Sequence, residues 1–234
     1  MRDERLNKLA EGLVNYSIHL QKGEKVFIEA TDVPEEVVCA LLEKVYAAGG
    51  VPYVKLCANK VQRALLMGAG EESIKKLADY EKYIMSDMDA YIGVRGFKNN
   101  FELSDVPAET TATYSREFFY PVHHEIRVKK TKWVILRFPT DGMSQLSEMS
   151  TEKFEDFFFN VCTLDYAKMS KAMDALVELM NRTDKVRLVA KNTDLTFSIK
   201  GIPAVKCAGG CNIPDGEVYT APVKNSVNGV ITYN

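Results

Sequence analysis

The sequence KVFIEATDVPEEVVCALLEKVYAAGGVPYVKLC, from Lys25 to Cys57, contains a complete β-α-β pattern. Its first and last segments are short and apolar, which is typical of buried strands. Between them, Pro34 stands near the first turn of a helical pattern that Gly49 and Gly50 close. Two strands joined by a helical crossover run parallel in one sheet. This stretch therefore predicts an α/β fold.

The same alternation continues on both sides of this stretch. A helical pattern from Leu6 to Leu20 precedes the first strand. After the second strand come, in order, a helical region (60–88), a strand (90–97), a helical region broken at Pro121 (106–128), a strand (133–138) and two helices (150–159 and 165–180). We therefore predict that residues 1–183 form a parallel sheet with helices on both faces.

The periodicity changes at Asp184. Two strand patterns, KVRLVA and LTFSIKG, are separated by KNTD, in which Asn192 and Asp194 suit a tight connection. The residues up to Asn234 are rich in Gly, Pro and Asn and include the strand candidates EVYTA and GVITYN. About 50 residues are too few for an independent core of this type. We therefore expect residues 184–234 to be the truncated beginning of a β-rich domain.

Composition limits the classes of partner. With 30 basic and 32 acidic residues and a net charge of −2, the chain has no field that favours nucleic acid or an anionic membrane. No apolar run is long enough to span a bilayer. The opening MRDERLNKLAEGL is charged and amphipathic, unlike an export signal, so a cytoplasmic protein is predicted, and the five cysteines, an odd number, are expected to be reduced thiols. Cys207 and Cys211 lack the further ligands of a zinc site.

Signatures of nucleophilic hydrolysis and nucleotide binding are missing from the sequence. The histidines are His19, His123 and His124, and the last two point about 100° apart on a helix, which disfavours a shared metal. The sequence has neither a nucleophile elbow nor a glycine-rich phosphate fingerprint. The basic residues from Arg127 to Lys132 are predicted to form a solvated face.

The segment AGGCNIPDGEVYTAP, from Ala208 to Pro222, differs from the rest of the chain. Its glycines, prolines and Asp215-Gly216 pair fix an irregular backbone ahead of Glu217. The pattern alone favours a surface loop with an exposed glutamate. A carboxylate positioned for function is the alternative.

Within this segment, NIPDGEVYTAP (212–222), followed by SVNG (226–229), resembles the signature of the aminopeptidase T and aminopeptidase S family of thermophilic-type leucyl aminopeptidases. The likeness extends upstream through WVILRFP (133–139), MSTEKFEDF (149–157) and TDLTF (193–197), and so covers most of the chain. One departure is SQLS (144–147), where similar proteins often carry alanines. This departure involves no metal ligand.

The resemblance implies an α/β domain followed by a β-rich catalytic domain with two divalent ions, commonly zinc or cobalt. It assigns the first metal ligand to Glu217 and the other ligands to positions beyond Asn234. Such a pair of ions activates water, polarises the scissile carbonyl and holds the α-amine of a peptide. The implied enzyme is a homodimer that removes N-terminal residues from peptides, and this chain alone is expected to be inactive. The alternative is a non-catalytic α/β scaffold that dimerises or binds a partner.

Overall fold

A computed structural model describes residues 3–233. Helix α1 (Glu4–Glu11) begins at Asp3, whose carboxylate accepts a hydrogen bond from the N–H of Arg5, and it continues into a first π-helical segment (Gly12–Ser17). The later helices are α2 (Glu35–Ala47), α3 (Asn59–Gly68), α4 (Glu71–Met85), α5 (Ala108–Tyr114), a second π-helical segment (Ser115–Val128), α6 (Asp141–Leu146), α7 (Thr151–Cys162) and α8 (Tyr166–Arg182). Within these residues, no helix combines the length and apolar character needed to cross a bilayer.

Ten strands complete the described chain. They are β1 (Lys25–Thr31), β2 (Val51–Cys57), β3 (Ala90–Gly96), β4 (Lys132–Phe138), β5 (Lys185–Ala190), β6 (Thr193–Ser198), β7 (Val205–Cys207), β8 (Asn212–Ile213), β9 (Glu217–Tyr219) and β10 (Asn228–Val230). Five of them form a parallel sheet in the order β2-β1-β3-β4-β8. The predicted α/β class and its parallel sheet are confirmed.

The buried centre of the sheet explains why its strands are apolar almost throughout. Strand β1 lies between β2 and β3, with Phe27 opposite both Tyr53 and Tyr91. Phe27 and Tyr91 then pack with Met85 of α4 and Val122 of the second π-helical segment. Because helices cover the sheet, its middle strands have no face left for solvent.

Helical structure continues through Pro121, where the sequence predicted a break. In an α-helix, a proline ring clashes with the carbonyl group four residues earlier. The π-helical turn instead spaces its hydrogen bonds five residues apart. This wider turn accounts for the continuity from Ser115 to Val128.

A buried network of charges links the sheet to its helical cover. Arg127 Nη2 donates to Glu29 Oε2 at 2.9 Å and to Glu81 Oε1 at 2.6 Å. Lys55 Nζ donates to Glu81 Oε2 at 2.8 Å, and the Tyr91 hydroxyl donates to Glu29 Oε1 at 3.0 Å. The Arg127 guanidinium also lies 4.3 Å from the centre of the Tyr91 ring. Each buried carboxylate is thereby paired with a cation.

The prediction that Arg127 belongs to a solvated basic face is wrong. Its side chain is only 5% exposed, whereas Lys129 and Lys130 are at the surface. The helical turn directs Arg127 toward the carboxylates of Glu29 and Glu81, whose burial it compensates together with Lys55. Burial acts to raise the pKa of Glu29, but the charges of Arg127 and Lys55, together with the hydrogen bonds from Tyr91 and Arg127, outweigh burial and hold that pKa below its usual value.

The described chain forms two compact units. The first contains the residues up to Leu164 together with Gly210–Pro214, and the second contains Asp165–Gly209 and the residues from Asp215 onward. Helix α8 belongs to the second unit through contacts with the segment that leads into β7. Lys206 Nζ pairs with Asp174 at 2.6 Å, and the Ala204 N–H donates to Asn181 Oδ1 at 2.8 Å. These long-range contacts leave no trace in local periodicity.

The second unit has two small antiparallel sheets. One has the order β10-β6-β5 and the other pairs β7 with β9. The predicted hairpin is present as β5 and β6, with Ala190 opposite Thr193 and Asn192 at a positive φ of 56° in the turn. The KNTD connection is therefore shorter than expected, because its last two residues already belong to β6.

Replacing Arg127 by methionine is expected to lower the free energy of unfolding by about 3–5 kcal/mol, because Glu29 and Glu81 would remain buried without their guanidinium partner. Urea unfolding measures the change. Arg187→Met, which breaks an exposed pair with Asp194, is the matched control and should leave the midpoint nearly unchanged. Equal losses in the two variants would contradict the assigned role of the buried network.

Candidate functional site

Glu217 is the first residue of β9, and it lies opposite Cys207 of β7 in an antiparallel pair. The next residue, Val218, is half-buried, whereas the Glu217 side chain is exposed. Within residues 3–233, no hydrogen bond or ion pair engages the Glu217 carboxylate. Both oxygens are therefore available to a ligand from solvent.

The neighbouring carboxylate has a different role. Asp215 Oδ2 accepts a 2.7 Å hydrogen bond from the Gly209 N–H, and Oδ1 lies 3.1 Å from the N–H of Gly216. The Asp215 N–H in turn donates to the hydroxyl of Tyr166 at 3.3 Å. Asp215 thus organises the turn that leads into β9, and its oxygens are already occupied.

Gly216 gives the turn a backbone conformation that side chains disfavour. Its φ is 142°, and a Cβ placed there would approach the Met169 sulfur at 3.3 Å. A glycine adopts this conformation without strain. The chain is consequently fixed on both sides of the step from Asp215 to Glu217.

The histidines do not join Glu217 in a common cluster. His123 is 91% buried against Phe119, with ring centroids 4.9 Å apart, whereas its neighbour His124 is exposed. Burial, together with the charge of Arg95, lowers the pKa of His123 to about 4. Across the described part of the chain, no three His, Cys, Asp or Glu side chains meet in an arrangement able to hold a metal ion.

The donor set fits a divalent ion in one respect. Glu217 offers an anionic oxygen on a strand held by pairing with Cys207, and a carboxylate of this kind is a common ligand of zinc. Asp215 does not offer a second anionic oxygen, because its carboxylate oxygens accept hydrogen bonds from backbone N–H groups of the turn. The described residues therefore supply one candidate ligand, the one that the sequence predicted.

A second feature, in the first unit, was not predicted. A cavity of about 440 Å³ lies beside β3, β4 and β8, and we call it the arginine cavity. Its principal lining residues are Arg95, Arg137, Met143, Phe157, Phe158 and Asn212. The signal in the sequence was the arginine that occupies the sixth position of both strand patterns, β3 and β4.

The fold and the strand-borne carboxylate define an α/β protein that presents a candidate metal ligand from a β-rich unit. Residues 2–234 match the family model of the thermophilic metalloproteases (M29), and the chain belongs to this family. The family predicted from the NIPDGEVYTAP segment is confirmed.

Solved structures share the fold. Wild-type AmpT from Thermus thermophilus aligns with a TM-score of 0.76 at 22% identity, covering 97% of this chain and 63% of that one. A 2,5-dihydroxypyridine dioxygenase from Pseudomonas putida KT2440 aligns with a TM-score of 0.51 at 11% identity, covering 96% of this chain and 57% of that one. This chain thus spans less than two thirds of either protein. No protein with a curated description matches the sequence.

The low pKa of His123 predicts a pH dependence of stability. Below pH 6.5 the unfolded chain protonates this ring, whereas the folded chain does so only near pH 4. The free energy of unfolding should therefore fall by about 2–3 kcal/mol as the pH is lowered through that window. Urea unfolding between pH 7 and pH 4 should show a smaller loss for His123→Phe. The exposed-site control His124→Phe should keep the wild-type slope, and a shared slope in all three proteins would contradict the assignment.

Proposed function

We propose that the protein acts as a metal-dependent aminopeptidase that releases N-terminal amino acids from peptides. The observation that carries the proposal is the family match over residues 2–234, together with an exposed glutamate whose carboxylate has no partner among residues 3–233. The signature that resembles aminopeptidases T and S contains this same residue, Glu217.

In this proposal Glu217 is the first ligand of two divalent ions, zinc or cobalt, whose remaining ligands lie outside the described residues. When bound, such ions supply activation of water and polarisation of the scissile carbonyl. The chain's own contribution is positioning. Asp215 holds the turn, Gly216 permits its backbone angle, and the pairing with Cys207 orients β9. A ligand on a paired strand keeps its geometry better than one on a mobile loop.

We further propose that the enzyme is a cytoplasmic homodimer. In the described residues none of the five cysteines forms a disulfide, which suits a reducing compartment.

Strand β2 lies at one edge of the parallel sheet, and Tyr53 and Leu56 on it are 41% and 65% exposed. An open edge with exposed apolar side chains supports association with a second copy.

The 234-residue chain supplied with zinc or cobalt is expected to release no leucine from a leucyl peptide above background. One carboxylate is too few ligands to hold two ions in a defined geometry. The assay measures free leucine, with a metal-saturated aminopeptidase of another family as the positive control. Robust metal-dependent release by this chain alone would contradict the proposed ligand set.

In a metal-loaded, active form of the enzyme, Glu217→Gln is expected to weaken metal binding by about 100-fold or more and to abolish turnover. The substitution keeps the size of the side chain and removes its charge, and changes even to residues that only support a ligand cost about 10–100-fold. Metal content and peptide hydrolysis are measured side by side.

Asp215→Asn is the matched control, since it neutralises an adjacent carboxylate that serves the turn. The carboxamide keeps an oxygen that can accept the hydrogen bond from the Gly209 N–H, so the turn should persist and the variant should retain most metal and most turnover. Thermal unfolding of both variants should stay close to wild type. If turnover survives Glu217→Gln and fails with Asp215→Asn, the ligand has been assigned to the wrong carboxylate.

A further inference from the structure

The two arginines of the arginine cavity, half-buried Arg95 and exposed Arg137, are a pair of like charges without a carboxylate partner among residues 3–233. Arg95 of β3 and Arg137 of β4 are partners in the parallel register, so their side chains leave the sheet on the same face. Neighbouring strands lie about 4.8 Å apart, and like charges in directly opposed positions destabilise a sheet. This arrangement favours an anion that binds both guanidinium groups.

Among residues 3–233, no carboxylate acts as the anion that binds the two guanidinium groups. Within residues 3–233, neither Arg95 nor Arg137 forms an ion pair with an Asp or Glu. Arg137 instead lies over the ring of Phe97, 5.3 Å from its centre, a contact that leaves its edge donors available. By contrast, the buried Arg127 has two carboxylate partners.

The remaining walls of the arginine cavity are apolar with one amide. Phe157 and Phe158 of α7 and Met143 of α6 line it, and the Phe157 side chain is 53% exposed. Asn212 of β8 adds a carboxamide, which both donates and accepts hydrogen bonds. A cavity of about 440 Å³ is of the size that holds a small organic ligand.

We propose that the arginine cavity binds a small organic carboxylate with an apolar body. The planar carboxylate would accept hydrogen bonds from Arg95 and Arg137, whose forked donors match its geometry. The apolar body would contact Phe157 and Phe158, a contact that inorganic phosphate lacks. Glu217 is not among the residues that line this cavity, and the proposal does not rest on the aminopeptidase function.

Isothermal titration calorimetry of the 234-residue chain with three probes tests the proposal. The probes are 3-phenylpropionate, its neutral analogue 3-phenylpropionamide and inorganic phosphate. The carboxylate should bind at least about tenfold more tightly than the amide, because charge-assisted hydrogen bonds to arginine are lost in the amide. It should also bind more tightly than phosphate, because phosphate gains nothing from the aromatic wall.

Other rankings overturn the proposal. Equal affinity for the acid and the amide would indicate an apolar groove. Phosphate binding as tight as that of the carboxylate would indicate a simple anion site. If none of the probes binds, the cavity is not a carboxylate-binding site. Nuclear magnetic resonance locates the ligand, since the backbone amides of Asn212 and Ile213 should shift on titration. Shifts confined to other residues would place binding elsewhere.

Variants give an independent measurement. Arg95→Gln and Arg137→Gln should each weaken the carboxylate about tenfold while leaving the weak amide affinity unchanged. Arg116→Gln is the matched control, because Arg116 pairs with Glu117 and does not line the cavity. Circular dichroism checks that each variant is folded. If a variant is unfolded, the order of affinities of the three probes for the wild-type chain still tests the proposal. Unchanged carboxylate affinity in folded variants would overturn the proposal.

Discussion

The parallel direction of the central strands is the constraint from which the rest of the first unit follows. Each parallel strand starts at the same end of the sheet, so the chain must cross over the sheet between strands. The helices that make these crossings bury both faces of the sheet. Glu29, a charged residue in such a strand, therefore requires a cation from the covering layer, and Arg127 provides it. The same direction brings the sixth residues of β3 and β4 side by side, which pairs Arg95 with Arg137.

Much of this architecture is readable from local sequence. Strands β1 to β4 are short apolar runs between helical patterns, and helix α7 lies within the helical pattern predicted at 150–159, with Ser150 accepting a hydrogen bond from the Lys153 N–H. Strand β8 could not be predicted, because two residues ahead of a proline carry no periodicity. The burial of Arg127 was missed for a related reason, since its carboxylate partners lie 98 and 46 positions away in the sequence.

Prediction of the candidate site from the sequence was limited in a different way. Residue preferences alone favour an exposed glutamate in a loop, and the structure indeed exposes Glu217, although on a strand. What selected Glu217 was the resemblance of a whole segment to a known family. The structure then gives different roles to the two carboxylates on either side of Gly216. The Asp215 carboxylate accepts hydrogen bonds from backbone N–H groups, whereas the Glu217 carboxylate accepts none within residues 3–233.

The return of residues 210–214 to the first unit has a consequence for biosynthesis. Strand β8 begins 50 residues after the end of α7, and at about 5–20 residues per second this interval of synthesis lasts several seconds. During that time the outer edge of β4, including the backbone of Ile135 and Leu136, has no strand to pair with. Nascent chains on neighbouring ribosomes would present the same open edge, so a chaperone that shields exposed strands would act best within this interval.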